Sequence, residues 1–227
     1  SRRFLADWNR VLKREEYMEL CGTGIWKLLL GAVYKMVIAA GAYKVMGYFD
    51  TGTAWYHWVG YAYAYGIYLF FDFAGYSLMA VGSSYMLGIE TPENFRQPFI
   101  SRDIREFWDR WHITLSHWFR DFIFTRFVMY SSKKKWFSTR LQRACAGFFV
   151  DMGIMGLWHG ITPSYILYGL YHGLLLAATE TYQKKSKFYK KHKNKTWYQV
   201  ISWAITMQLV FFGFFLFSGK LMELVGF

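Results

Sequence analysis

Six histidines are the residues of this chain best suited to acid–base work, because an unperturbed imidazole titrates close to neutral pH. Their surroundings divide them. His192 sits in Lys190-Lys191-His192-Lys193 and reads as solvated; His57 lies among aromatic residues and reads as structural. His117 shares a polar helical face with Arg110, Thr114 and Asp121, which suits a surface role. His159 is different, closing the apolar run Met155-Gly156-Leu157-Trp158-His159-Gly160 just before a turn. An ionisable group at such a depth marks a functional site unless a backbone carbonyl simply satisfies it. Asp151, two helical turns earlier on roughly the same side, could belong to the same polar track. His112 stands midway between Trp108 and Ser116 at the border of an apolar stripe, and by spacing alone is structural. His172, in Tyr168-Gly169-Leu170-Tyr171-His172-Gly173, faces along its helix toward Thr179 and Glu180 and reads as a packing and hydrogen-bonding residue.

Other chemistry is weakly signalled. No histidine spacing fits a zinc pattern, so no metal site is expected. Cys21 and Cys145 make no disulfide framework, and no nucleophile elbow, P-loop or dinucleotide fingerprint is present.

The elements that must position these histidines follow from composition. The 227 residues are 54% hydrophobic, 22% aromatic and 19% charged, with only 3 Pro, which excludes a disordered, collagenous or disulfide-built chain. The net charge of +12 is concentrated in three basic blocks at 2–14, 96–143 and 184–195. Between them lie apolar stretches at 25–49, 55–89, 144–179 and 197–217, each long enough for a bilayer crossing of about 20 residues. A soluble nucleic-acid binder has no use for such stretches. The pattern predicts a multi-pass protein of the cell membrane with its basic loops cytoplasmic and no nucleic-acid partner.

The expected fold class is all-α, a polytopic assembly of transmembrane, re-entrant hairpin and interfacial helices in a single membrane domain over 1–227. Residues 1–21 suggest a helix on the inner membrane surface. Lys35 in the first span needs a partner, and Asp72 in the second is the natural one from depth alone. The second span is over-long, which tilt or a break near Gly82-Ser83-Ser84 would absorb. Residues 101–122 predict one continuous interfacial helix capped by Ser101, with exposed pairs Arg102/Glu106, Arg105/Asp109 and Glu106/Arg110. The segment 144–182 predicts a helical hairpin turning at Gly160-Ile161-Thr162-Pro163, and 197–217 a final crossing that leaves Lys220 and Glu223 outside.

Several motifs in order carry a resemblance: Asn94-Phe95-Arg96-Gln97-Pro98-Phe99, then Glu106-Phe107-Trp108-Asp109-Arg110-Trp111-His112-Ile113-Thr114-Leu115-Ser116 with Trp118-Phe119-Arg120-Asp121, then Gly156-Leu157-Trp158-His159-Gly160 and the run around His172. The chain resembles the membrane-bound O-acyltransferase family. Phe122-Ile123-Phe124-Thr125-Arg126-Phe127-Val128, Lys133-Lys134-Lys135-Trp136 and the ending Phe217-Ser218-Gly219-Lys220 look like the branch that transfers D-alanine to teichoic acids, rather than the branch that acetylates alginate. Family members are commonly nearly twice as long, so the resemblance implies a C-terminal portion lacking N-terminal spans as its partner.

The resemblance implies His159 as the essential histidine and His112 as the second motif-borne polar position. It implies no bound cofactor. D-alanine would arrive as a phosphopantetheine thioester on an acidic carrier protein and pass to lipoteichoic acid hydroxyls, His159 acting as general base. Val128 and Met129 beside Lys133, Lys134 and Lys135 would dock the carrier, charge guiding encounter and apolar area holding it; the competing reading is an anchor on membrane lipids. A different class also remains open on residues alone: a transporter or channel with Lys35, Asp72, Asp151 and His159 along a polar path.

Overall fold

The computed structural model describes residues 10–52 and 54–226, and all regular secondary structure among them is helical. The interfacial helix expected over 1–21 lies partly outside the described residues, since 1–9 are not among them; helix α1 begins at Arg14. The chain divides into two compact units after Phe95. Among the described residues, three helices are long and apolar enough to cross a membrane: α1 (Arg14–Asp50) and α2 (Trp55–Met86) in the first unit and α9 (Thr196–Phe217) in the second.

In the first unit, glycine lets two backbones touch. A Cβ placed on Gly31 would lie 2.6 Å from the carbonyl oxygen of Gly75, and one on Gly24 would lie 2.6 Å from that of Gly82. Small residues at such seams are how helices pack in lipid, where apolar side chains gain nothing by leaving the tails. Beside this seam α1 carries a π-helical segment, Tyr34–Ala39, and within it Lys35 forms an ion pair with Asp72 of α2. The pairing expected from depth is therefore formed. Of the two ways suggested for absorbing the over-long second span, tilt or a break near Gly82-Ser83-Ser84, the break does not occur: α2 runs unbroken to Met86, and Ser84 donates its hydroxyl back to Val81 O at 2.8 Å, a bond that a continuous helix accommodates. Lys27, at one end of the span, reaches Glu93 of the following loop.

Lys35→Met alone should lower the melting temperature of the detergent-solubilised protein, the loss corresponding to about 1–2 kcal/mol for an intramembrane polar contact. Lys35→Met with Asp72→Leu should recover most of it, because neither charge is then left unpaired. A double variant as unstable as the worse single one would show that the pair does not act as a unit.

The second unit begins with a 3-10 turn, Pro98–Ile100, and continues through α3 (Ile104–Trp108), α4 (Ile113–Phe119), a π-helical turn Arg120–Phe124, and α5 (Thr125–Lys133). The continuous helix expected over 101–122 is thus broken. Its cap is Asp103, which accepts from Glu106 N at 2.9 Å, while Ser101 is buried and donates to Pro98 O at 2.6 Å. The break falls at His112, which holds left-handed backbone at φ 45°, ψ 50°. Ser116 Oγ donates at 3.0 Å to Trp111 O, one of the carbonyls freed there. The break falls among buried aromatic side chains: Phe107, Trp108, Trp111 and Phe119 all lie in the core.

The expected pairs Arg102/Glu106 and Glu106/Arg110 form, at 3.2 and 2.8 Å. Burial opposes the charge of Glu106, but the Arg102 N–H and the guanidinium groups of Arg102 and Arg110 outweigh it and hold the carboxyl below its ordinary range. The third pair is replaced. Arg105 reaches Glu180 at 2.6 Å and Asp109 reaches Arg120 at 2.9 Å, so each pairs with a later element instead.

A helical hairpin follows as predicted, made of α6 (Arg140–His159) and α7 (Pro163–Lys185). Thr139 opens α6 with a reciprocal capping box to Gln142. Gly160, at φ 154°, ends it beside His159, and Pro163 supplies a first residue of α7 that needs no amide partner. Neither hairpin helix is among the three candidate spans. After α8 (Lys187–His192) and α9, the short α10 (Lys220–Leu224) tucks Lys220 to 9% exposure, its ammonium bonding Glu223 at 2.8 Å.

Candidate functional site

The hairpin places His159 by backbone contact. A Cβ on Gly156 would lie 2.4 Å from Tyr165 O, and one on Gly169 2.4 Å from Met152 O, so both positions must be glycine for α6 and α7 to close. His159 then lies half-buried in an aromatic enclosure, with ring centroids at 4.9 Å from Trp158, 5.0 Å from Phe217, 5.9 Å from Tyr165 and 6.3 Å from Tyr168. Phe217, the last residue of α9, also touches Tyr165 and Tyr168 at 4.9 and 5.0 Å, closing the enclosure from a third helix.

His172 lies behind this enclosure. It is 1% exposed, its ring is 4.6 Å from that of Tyr168, and its Nδ1 accepts from Trp108 Nε1 at 3.3 Å. The packing and hydrogen-bonding role expected for it is met, with Trp108 as its partner. That bond ties α3, and with it the break at His112, to the same hairpin that carries His159.

His112 and His159, far apart in sequence, come within electrostatic reach. Burial first, and then the charge that His159 would carry, lower the His112 pKa to about 4. His112 is therefore a neutral imidazole at ordinary pH, able to donate from one ring nitrogen and accept at the other. Its left-handed backbone is the kind of local cost found where the surroundings hold a side chain in a required direction.

The same unit holds a cavity of about 510 Å³; neither histidine is among the residues that line it, but Trp108 and Ser116, which flank His112 in sequence, and Met155 of α6 are. Arg105, Arg120, Arg140, Arg143 and Lys184 make the lining cationic, and Val128 and Met129 form part of it. Asp151 also faces it: 8% exposed, its Oδ1 has no hydrogen-bond partner. Glu180 is likewise buried, held by Arg105 and by Lys184 at 2.6 Å. The arginines, Glu180 and the Trp108–His172 bond escape a sequence reading. The available signal was an acid in an otherwise apolar helix, which points to Glu180 and Asp151 but not to their partners.

The residues expected to dock a carrier are arranged unequally. Met129 is 67% exposed and Tyr130 52%, and Lys133, Lys134 and Lys135 are all exposed. Val128 is half-buried, its Cγ2 packed toward Gly147 of α6. The remaining histidines stand apart: His117 is exposed, His57 lies against the rings of Tyr48, Phe49 and Tyr56, and His192 bonds Phe188 O.

Comparison of the amino-acid sequence with known proteins points to one family. The teichoic acid D-alanyltransferase of Bacillus subtilis (strain 168) is 44% identical over 225 residues, which cover 96% of this chain and 56% of that protein. The teichoic acid D-alanyltransferase of Streptococcus thermophilus is 37% identical over 98% of this chain and 58% of its own length. A probable alginate O-acetylase of Pseudomonas syringae is 38% identical over 78% of this chain and 30% of its own length. The chain spans a little over half the length of the D-alanyltransferases it matches. The family model for membrane-bound O-acyltransferases covers residues 2–223, and the chain belongs to that family.

Proposed function

We propose that this chain carries the catalytic portion of an enzyme that moves D-alanine across the membrane, from a thioester on an acidic carrier protein to hydroxyls of lipoteichoic acid. The observation that carries the reading is that His112 and His159, from two separate motifs, lie within electrostatic reach of one another in the unit whose cavity is lined by arginines and reaches Val128 and Met129. The D-alanyl group is preferred to acetyl because the D-alanyltransferase relatives align over nearly the whole chain and the alginate relatives over about three quarters of it.

In this reading the donor arrives on the cytoplasmic side, with the basic blocks. The phosphopantetheine arm of the carrier passes along the cavity, whose arginines suit its phosphate. His159 takes the proton of the acceptor hydroxyl as its oxygen attacks the thioester carbonyl. The C–O bond forms, the C–S bond breaks, and the thiol returns with the carrier. His112, neutral, lines the path of the arm and donates a hydrogen bond to the carbonyl.

The carrier would dock on the α5 end. Met129, Tyr130 and Trp136 offer exposed apolar area, and Lys133, Lys134 and Lys135 offer charge that an acidic partner meets first. Met129→Asp is the sharper probe than Val128→Asp, because Val128 also packs against α6. Met129→Asp should weaken carrier binding, read by titration of the protein in nanodiscs, by about tenfold or more. Reversing the three lysines to Glu should slow association and remove most of its salt dependence. Unchanged affinity and salt response in both variants would place the carrier elsewhere.

Supplying charged D-alanyl carrier to vesicles containing the protein and measuring label on lipoteichoic acid tests the whole reading. Label transferred equally well from an acetyl thioester, or none at all with intact protein, would turn it toward the acetylating branch or away from transfer.

A further inference from the structure

A second cavity, of about 610 Å³, lies where the end of α7, α8 and the first half of α9 meet residues 102–106. The transfer chemistry above makes no use of it. Its polar lining includes Lys193, Asn194, Tyr189 and Tyr198, neighbours in sequence at the start of α9 and just before it. Its apolar lining follows a single stripe of α9: Trp197, Ile201 and Ile205, one helical turn apart, are exposed by 46%, 50% and 55%, and Leu209 continues the line. Because α9 is long and apolar enough to cross a membrane, the polar residues around its start stand at one membrane face and the stripe descends into the tails.

The acids in the wall are already occupied. Asp103 accepts from Glu106 N–H at 2.9 Å and from Gln183 Nε2 at 3.0 Å, and Glu106 is held by Arg102 and Arg110. The positive charge nearby is not so balanced: besides Lys184, which pairs with Glu180, six lysines fall between 185 and 195, among them Lys193 in the wall itself. A cation at the mouth, aromatic residues at interfacial depth and an aliphatic stripe below them match the parts of one molecule.

We infer that this cavity binds one anionic glycerophospholipid of the leaflet on the lysine-rich side. Its phosphate lies against Lys193 and the tyrosine hydroxyls, and its acyl chains run along Trp197, Ile201 and Ile205. A soluble phosphate would use the mouth and leave the stripe uncovered, whereas a lipid uses both.

The test is native mass spectrometry of the purified protein exchanged with equal amounts of phosphatidylglycerol and phosphatidylcholine. One phosphatidylglycerol should be retained about tenfold over phosphatidylcholine. Lys193→Glu, an exposed position that leaves the helix packing alone, should reduce that occupancy about tenfold, as should Ser202→Trp, which fills the cavity. Equal retention of the two lipids would overturn the inference. So would unchanged occupancy in Lys193→Glu, or displacement of the lipid by glycerol phosphate alone, which would assign the site to a soluble anion.

Discussion

His159→Ala should lower D-alanyl transfer by roughly 10²- to 10⁴-fold, the range set by loss of a positioned general base. Carrier affinity should stay at the wild-type value, because the docking residues of α5 lie on another element and contribute through other side chains. The aromatic enclosure of Trp158, Tyr165, Tyr168 and Phe217 has its own ring contacts, so removing the imidazole leaves a small cavity rather than a collapsed hairpin. His112→Ala should also slow transfer, by less, since it orients and polarises but does not take the proton. Burial lowers the pKa of His159 as well as that of His112. With its pKa lowered to about 4, His112 stays neutral as pH falls from 7 to 5, so no loss of activity in that interval is attributable to its protonation. Transfer by His159→Ala within a few-fold of wild type, in protein of normal melting behaviour, would remove His159 from the chemistry.

The second large effect is on assembly. Gly169→Val should destabilise the protein by about 3 kcal/mol, the upper end of the usual overpacking cost, and abolish transfer with it. Its Cβ would meet the Met152 carbonyl at 2.4 Å, and backbone cannot rotate away as a side chain can. The hairpin must then open, which separates His159 from Tyr165 and Tyr168 on the facing helix. Gly153→Ala on α6 is the matched control: nothing lies within 4 Å of its added Cβ, so stability should hold or rise with the better helix former. Melting midpoints in detergent report both. A Gly169→Val protein that melts with the wild type would show that the seam is looser than the backbone contacts require.

Much of the architecture is legible without coordinates because it depends on runs of one character. Apolar stretches near bilayer length, bounded by basic blocks, mark α1, α2 and α9, and Gly160 with Pro163 marks the turn of the hairpin. The Lys35–Asp72 pair follows from the same logic, since two opposite charges in adjacent spans have few other places to go. Candidate site residues are legible for a related reason: an ionisable side chain at the end of an apolar run is costly, so His159 and Asp151 stand out against their neighbours.

What the tertiary structure alone decided lies where periodicity misleads. The stripe over 101–122 fits a single helix, and local propensity offers no objection to it. The folded chain nevertheless bends through a left-handed His112, with Phe107, Trp108, Trp111 and Phe119 buried around it, and pairs Arg105 with Glu180 and Asp109 with Arg120. The Trp108–His172 bond and the approach of His112 to His159 belong to the same class of fact. Residue type and spacing determined which groups could do chemistry, because burial cost is local to a segment. Which groups face one another depends on contacts between segments, and those exist only once the hairpin has closed on its glycines.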